Sequence, residues 1–72
     1  MKVPTGYRDR YNFILKRSQD VRGNFINGNR KDALALMEEL PKKVALAVAV
    51  HAMLGLLSRD RKSFSSWFNE VA

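Results

Sequence analysis

The stretch from Val44 to Leu57 constrains this chain more than any other. It runs for fourteen residues without a charge, and His51 is its only polar side chain. It is too short to cross a bilayer, which takes ~20 apolar residues. A helix that is apolar around its whole circumference has to be buried. The sequence therefore predicts a central helix that the remaining segments surround on nearly all sides.

The length and the cysteine content limit how such a helix can be enclosed. A chain of 72 residues predicts one helical domain over residues 1–72, with residues 1–5 as an N-terminal arm. A domain of this size buries only ~60% of its unfolded surface. There is no Cys, so no disulfide or thiolate metal site can hold the fold together. The lack of Cys, and of an apolar run within residues 1–13, predicts cytoplasmic residence.

The spacing of apolar residues predicts an all-α fold, a compact bundle of four short helices packed around the central one. Tyr7, Tyr11 and Ile14 begin a stripe with helical spacing that faces the core. Asn27-Gly28-Asn29 predicts a turn, and Pro41 predicts the end of the second helix. The polar segment at residues 58–63 reads as a connection before the last helix. The predicted helices are roughly residues 6–26, 30–40, 42–58 and 61–71.

One side of the central helix is made of small residues at helical spacing, which are Ala45, Ala49, Ala52 and Leu56. Small side chains let another helix approach closely, so this side is predicted to pack against a neighbouring helix or against a second copy of the chain. Three short helices can cover only part of an apolar helix. The sequence therefore predicts a homodimer.

Catalysis needs polar groups that converge, and this chain offers few. His51 is its only histidine and lies in the apolar stretch, so it is predicted to be a core or interface residue. No pair of ligands has the spacing of a metal site, and the glycines at 6, 23, 28 and 55 form no phosphate loop. We expect no enzymatic activity, no metal and no cofactor.

The leading functional hypothesis is a small regulatory protein that binds a larger protein partner. Phe13 lies off the apolar stripe of the first helix, and Arg10 and Arg17 lie near it. An exposed aromatic side chain with arginines around it is typical of an interface anchor with a polar rim. Phe13, Arg10 and Arg17 are therefore the predicted protein-binding residues.

The alternative hypothesis is a dimeric regulator that binds DNA or RNA. Thirteen Lys and Arg against seven Asp and Glu give a net charge of +6, which favours acidic partners. The candidate phosphate-binding residues are Arg8, Arg10, Arg17, Arg30, Lys31, Arg59, Arg61 and Lys62. Acidic residues interrupt these clusters, and the sequence shows no polar recognition helix.

Overall fold

A computed structural model describes residues 2–71, and Met1 of the predicted arm and the C-terminal Ala72 lie outside that range. The described residues form four α-helices and no strand, which confirms the all-α prediction. The helices are α1 (Tyr7–Ile26), α2 (Arg30–Glu38), α3 (Lys42–Leu54) and α4 (Ser58–Val71). The molecule measures 34 × 20 × 18 Å.

The turn between α1 and α2 lies where the sequence predicts it. Gly28 has a φ of 83°, a left-handed conformation that costs glycine little. The backbone N–H of Asn29 donates to the carbonyl of Asn24 at 2.8 Å, so the turn satisfies a carbonyl at the end of α1. This geometry reverses the chain and lays α2 back against α1.

The prediction for the end of α2 is two residues too long. α2 ends at Glu38, and Leu40 lies in the turn with its side chain buried in the core. Pro41 follows, and its carbonyl accepts the first hydrogen bond of α3 from Ala45 at 2.9 Å. Burial of Leu40 at the bend therefore fixes where one helix stops and the next begins.

The predicted boundary between the third and fourth helices is wrong. α3 ends at Leu54 and α4 starts at Ser58, so the polar segment at residues 58–63 is helix and not a connection. Gly55 weakens the helix at its end because glycine has high conformational freedom. The guanidinium of Arg61 then donates two hydrogen bonds, of 3.2 and 3.0 Å, to the carbonyl of Leu56. This contact stabilises the start of α4 three residues earlier than predicted.

The core contains a cluster of three aromatic side chains. Phe25 of α1 lies 5.0 Å from Phe64 and 5.2 Å from Trp67, measured between ring centroids. Phe64 and Trp67 are 5.4 Å apart, and all three side chains are buried. Edge-on and tilted ring contacts of this kind add to the stabilisation from burial. The aromatic residues of α4 thus close the core, as their spacing predicts.

The small side of the central helix packs within the single chain. Ala49, Ala52 and Leu56 are buried, and Ala45 is half-buried against the core. These residues therefore pack within their own chain, although Ala45 and Ala49 also line hollows on its surface. Contact of this side with a second copy stays a prediction.

The central helix is not surrounded as the sequence predicts. Val44 and Val48 lie in the core, whereas Leu46, Val50 and Leu54 are exposed on the other side of the same helix. α1, α2 and α4 all pack towards one side of α3, since three short helices cannot enclose a fourth. The prediction that α3 is buried nearly all round is therefore wrong.

Within residues 2–71, no helix combines the length and the apolar character needed to cross a bilayer.

Replacing Phe64 with alanine should unfold most of the chain. Phe64 is only 1% exposed and touches both other rings of the cluster. Such a truncation costs about 3–5 kcal/mol, a large share of the stability of a small domain. Urea unfolding followed by circular dichroism measures this cost. Val71→Ala at the exposed end of α4 is the control and should change little, and a Phe64→Ala variant as stable as the parent would show that the cluster does not hold the core.

Candidate interaction surfaces

Arg17 joins α1 to the end of α2. Its Nη1 donates to the carboxylate of Glu39 at 3.1 Å and lies 3.4 Å from the carbonyl oxygen of Leu36. Its guanidinium also lies over the ring of Phe13, 5.5 Å from the centroid. A guanidinium with these contacts acts first as a structural link between α1 and α2, although part of its surface still meets solvent.

Phe13 is less exposed than the sequence predicts. It is half-buried and packs against the core, with Arg17 covering its ring. The prediction that Phe13 is an exposed side chain is therefore wrong, because Arg17 folds over it from the next turn. Arg10, in contrast, is exposed on the same side of α1. Whether these three residues bind a protein stays a prediction.

Two aromatic residues that the sequence assigns to the core are exposed. Tyr7 is 91% exposed and Tyr11 is 49% exposed. α1 has 20 residues and α3 has 13, which correspond to lengths of about 30 and 20 Å. Every residue from 7 to 12 is exposed, and within this segment Tyr11 still touches α3 through His51. The first turn of α1 therefore has little cover from the other helices.

Tyr7, Tyr11 and Arg10 form what we call the tyrosine surface. Tyr7 and Tyr11 are four residues apart and Arg10 is three residues after Tyr7, so all three are neighbours on the helix. The ring of Tyr11 meets the ring of His51 edge-on, with centroids 6.1 Å apart. His51 is half-buried there, which agrees with a packing role and holds one side of Tyr11 in place.

The eight predicted phosphate-binding residues do not form one stripe. Arg8 and Arg10 lie near the start of α1, whereas Arg30 and Lys31 begin α2, roughly 27 Å of helix away. Three of the eight are engaged in contacts inside the chain. These contacts are Arg17 with Glu39, Arg61 with the Leu56 carbonyl, and Arg30 over the ring of Phe25 at 4.7 Å.

The fold brings two of these cations to one cleft. Arg30 of α2 and Lys62 of α4 line a hollow of about 380 Å³ together with Ser63 and Ser66. Glu70 lines the same hollow, and its carboxylate opposes an anionic ligand there. Lys31 and Arg59 are exposed and do not line this hollow.

An apolar ridge and an apolar groove lie side by side on α3. Leu46, Val50 and Leu54 are each four residues apart and form the ridge, and Leu54 is 62% exposed. The groove consists of two hollows of about 270 and 190 Å³, and both are lined by Leu46 and Phe68. The larger one also reaches α2, and Glu38 and Lys42 lie at it. The sequence identifies the helix as apolar but does not show which side is left open.

Among residues 2–71, no three His, Cys, Asp or Glu side chains come together in a way that could hold a metal ion.

Neither the protein-family models, nor the curated proteins, nor the solved structures include a significant match to this chain.

Phe13→Ala should lower the free energy of unfolding by about 1–2 kcal/mol, less than the about 3–5 kcal/mol for a fully buried phenylalanine. The expected loss is intermediate because the ring is half-buried under Arg17. Urea unfolding measures it, and Tyr7→Ala is the matched aromatic control with almost no expected loss. If Phe13→Ala is as stable as the parent, Phe13 contributes no packing and is available as a binding anchor.

Proposed function

We propose that this chain is a small non-enzymatic regulatory protein that binds a larger protein and modulates its activity, with the tyrosine surface as its contact. The observation that carries the proposal is the exposure of Tyr7 and Tyr11 on regular helix. A ring that is 91% exposed gives the isolated fold almost no packing energy. A role in contact with another molecule accounts for it.

The residue types of the tyrosine surface suit a protein contact. Tyrosine and arginine are enriched among the residues that carry most of the binding energy in interfaces. Tyrosine provides a large apolar area with few rotatable bonds, so ordering it on binding costs little entropy. Arg10 beside Tyr7 can hydrogen-bond a carboxylate or a carbonyl of the partner. The half-buried pair of Phe13 and Arg17 borders this surface one turn further along α1.

A helix end that protrudes can reach a concave site on a larger molecule. Each residue from 7 to 12 is exposed, so a partner can contact this segment without displacing the rest of the bundle. Helix-in-groove recognition uses anchors at this spacing, with side chains three and four residues apart. The proposal keeps the cytoplasmic location predicted from the sequence.

Binding of a nucleic acid is the second candidate, and one observation favours it. Arg30 and Lys62 are 32 positions apart in the chain and yet line the same cleft. Exposed tyrosines next to arginines can also stack on bases of a single strand. Against this, Glu70 lines the cleft, and Arg17, Arg30 and Arg61 have contacts within the chain.

Replacing both tyrosines by alanine should weaken partner binding at least ~30-fold, because a hot-spot side chain contributes ~2 kcal/mol or more. The tagged chain, the Tyr7→Ala/Tyr11→Ala variant and the control Ile26→Ala are used to capture proteins from lysate of the source cells. Ile26 is a comparably exposed apolar residue at the other end of α1. We expect one protein to be retained by the parent and by Ile26→Ala and lost with the double variant.

Two controls separate the candidate functions. Nuclease treatment should leave the captured protein in place, and moderate salt should weaken its binding only slightly. Recovery of nucleic acid alone, lost as salt rises, would replace the proposal with the second candidate, because phosphate contacts depend steeply on ionic strength. Equal capture by all three chains would show that the tyrosine surface is not the contact.

A further inference from the structure

The turn between α1 and α2 contains the one asparagine of the sequence that precedes a glycine. Asn27 is exposed at the end of α1, and Gly28 follows it with a φ of 83°. The other asparagines, at 12, 24, 29 and 69, precede phenylalanine, arginine or glutamate. Asparagine is a thermolabile residue, because its side-chain amide can react with the next backbone nitrogen. A glycine in that next position has no side chain to obstruct the reaction.

We propose that Asn27 is a site of spontaneous deamidation, and that the folded turn sets the rate of this modification. In the reaction, the backbone nitrogen of Gly28 loses its proton and attacks Cγ of Asn27. The N–Cγ bond forms, the bond from Cγ to Nδ2 breaks, and ammonia takes up a proton as it leaves. Water then opens the resulting succinimide ring at one of its two carbonyls, which gives aspartate or isoaspartate. Water is the only co-reactant, and the turn is exposed to it.

The folded turn does not have the geometry for ring closure. Asn27 has a ψ of 3°, so the nitrogen of Gly28 nearly eclipses the backbone nitrogen of Asn27 and lies away from its side chain. The N–H of Gly28 also donates to the carbonyl of Phe25 at 3.2 Å. This hydrogen bond has to break, and ψ has to rotate, before the nitrogen can attack. Deamidation therefore proceeds through a locally opened turn.

Contacts on both sides of Asn27 oppose this opening. Phe25, two residues before it, is buried in the aromatic cluster. The guanidinium of Arg30, the first residue of α2, lies over the ring of Phe25 at 4.7 Å from its centroid. The N–H of Asn29 donates to the carbonyl of Asn24 at 2.8 Å. The last turn of α1 and the first turn of α2 are thus joined across the reactive residue.

The isoaspartate product lengthens the backbone inside the turn. Its chain runs through Cβ and Cγ of residue 27, which adds one backbone atom. The hydrogen bonds that Gly28 and Asn29 donate to carbonyls of α1 then lose their alignment. The aspartate product keeps the normal backbone, and its carboxylate lies between the negative end of the α1 dipole and the positive end of the α2 dipole, whose effects oppose each other. The isoaspartyl chain should therefore be the less stable of the two products.

Incubation of the full chain in neutral buffer at physiological temperature, with and without urea, tests the proposal. Mass spectrometry of proteolytic peptides locates each asparagine that has lost its amide. In urea, Asn27 should react before the asparagines at 12, 24, 29 and 69. In the folded chain it should again react first, but at least ~10-fold more slowly, the factor for an opening free energy of ~1.4 kcal/mol. Both rates should rise with pH, because the attacking nitrogen must lose a proton.

Two variants that each remove one positive charge test the control by the turn. Arg30→Ala removes the contact with Phe25 and should speed deamidation of the folded chain about 2- to 5-fold, since such a contact stabilises by about 0.5–1 kcal/mol. Lys31→Ala, on the exposed neighbouring residue, is the matched control and should leave the rate unchanged. In urea, both variants should react as fast as the parent.

Urea unfolding measures what the modification does to the fold. The isoaspartyl fraction of the aged chain, separated by chromatography, should unfold at a lower urea concentration than the parent. Asn27→Asp has the new charge without the longer backbone, and it should unfold close to the parent. An isoaspartyl chain as stable as the parent would contradict the expected loss of hydrogen bonds in the turn.

Three results would overturn the proposal. Faster loss of the amide at another asparagine in urea would show that Asn27 is not the site. Equal rates with and without urea would show that the folded turn does not protect it. Equal rates for folded Arg30→Ala and Lys31→Ala would show that the contact with Phe25 does not oppose opening. The tyrosine surface lies at the other end of α1, so this inference and the proposed function fail separately.

Discussion

The packing of α3 is the constraint on which the rest of the structure depends. This helix is apolar on every side, and water penalises each exposed apolar surface by roughly 25 cal/mol per Å². The other helices cover the side that carries Val44, Val48 and Ala52, and this contact holds the bundle together. The number of helices is too small to cover the opposite side. Both the stability of the fold and the exposed aliphatic surface of α3 therefore follow from one helix.

Arginine side chains stabilise the junctions between the helices. Arg17 ties α1 to the end of α2, and Arg61 binds the carbonyl of Leu56 at the start of α4. The guanidinium of Arg22 occupies the space beside Gly55 that a side chain there would fill, and the guanidinium of Arg30 lies over the ring of Phe25. A planar guanidinium can hydrogen-bond carbonyls at its edge and pack through its face, which suits it to helix ends. Four of the thirteen Lys and Arg side chains thus have contacts within the fold, so the net charge of +6 overstates the surface available to phosphates.

Turn residues and helical spacing are sufficient to predict the order of the helices from the sequence. They do not predict which side chains are exposed. The turn at Gly28 and the core positions of Phe64 and Trp67 follow from turn chemistry and helical spacing. The exposure of Tyr7 depends on how far α1 extends past its neighbours, which spacing within one helix does not report. The burial of Phe13 depends on a rotamer of Arg17. The exposure of one side of α3 depends on where the three other helices pack. The candidate surfaces are consequently tertiary properties, and the sequence predicted their residue types better than their positions.

Amide hydrogen exchange, followed by NMR, tests the central role of α3 most directly. The account predicts that amides of the buried side of α3, such as those of Val48 and Ala52, exchange only through global unfolding and are among the slowest in the chain. The amide of Tyr11, in the exposed first turns of α1, should exchange orders of magnitude faster. If the amides of α3 exchange as fast as that of Tyr11 while those of α4 remain protected, α3 is not the element around which the chain is organised.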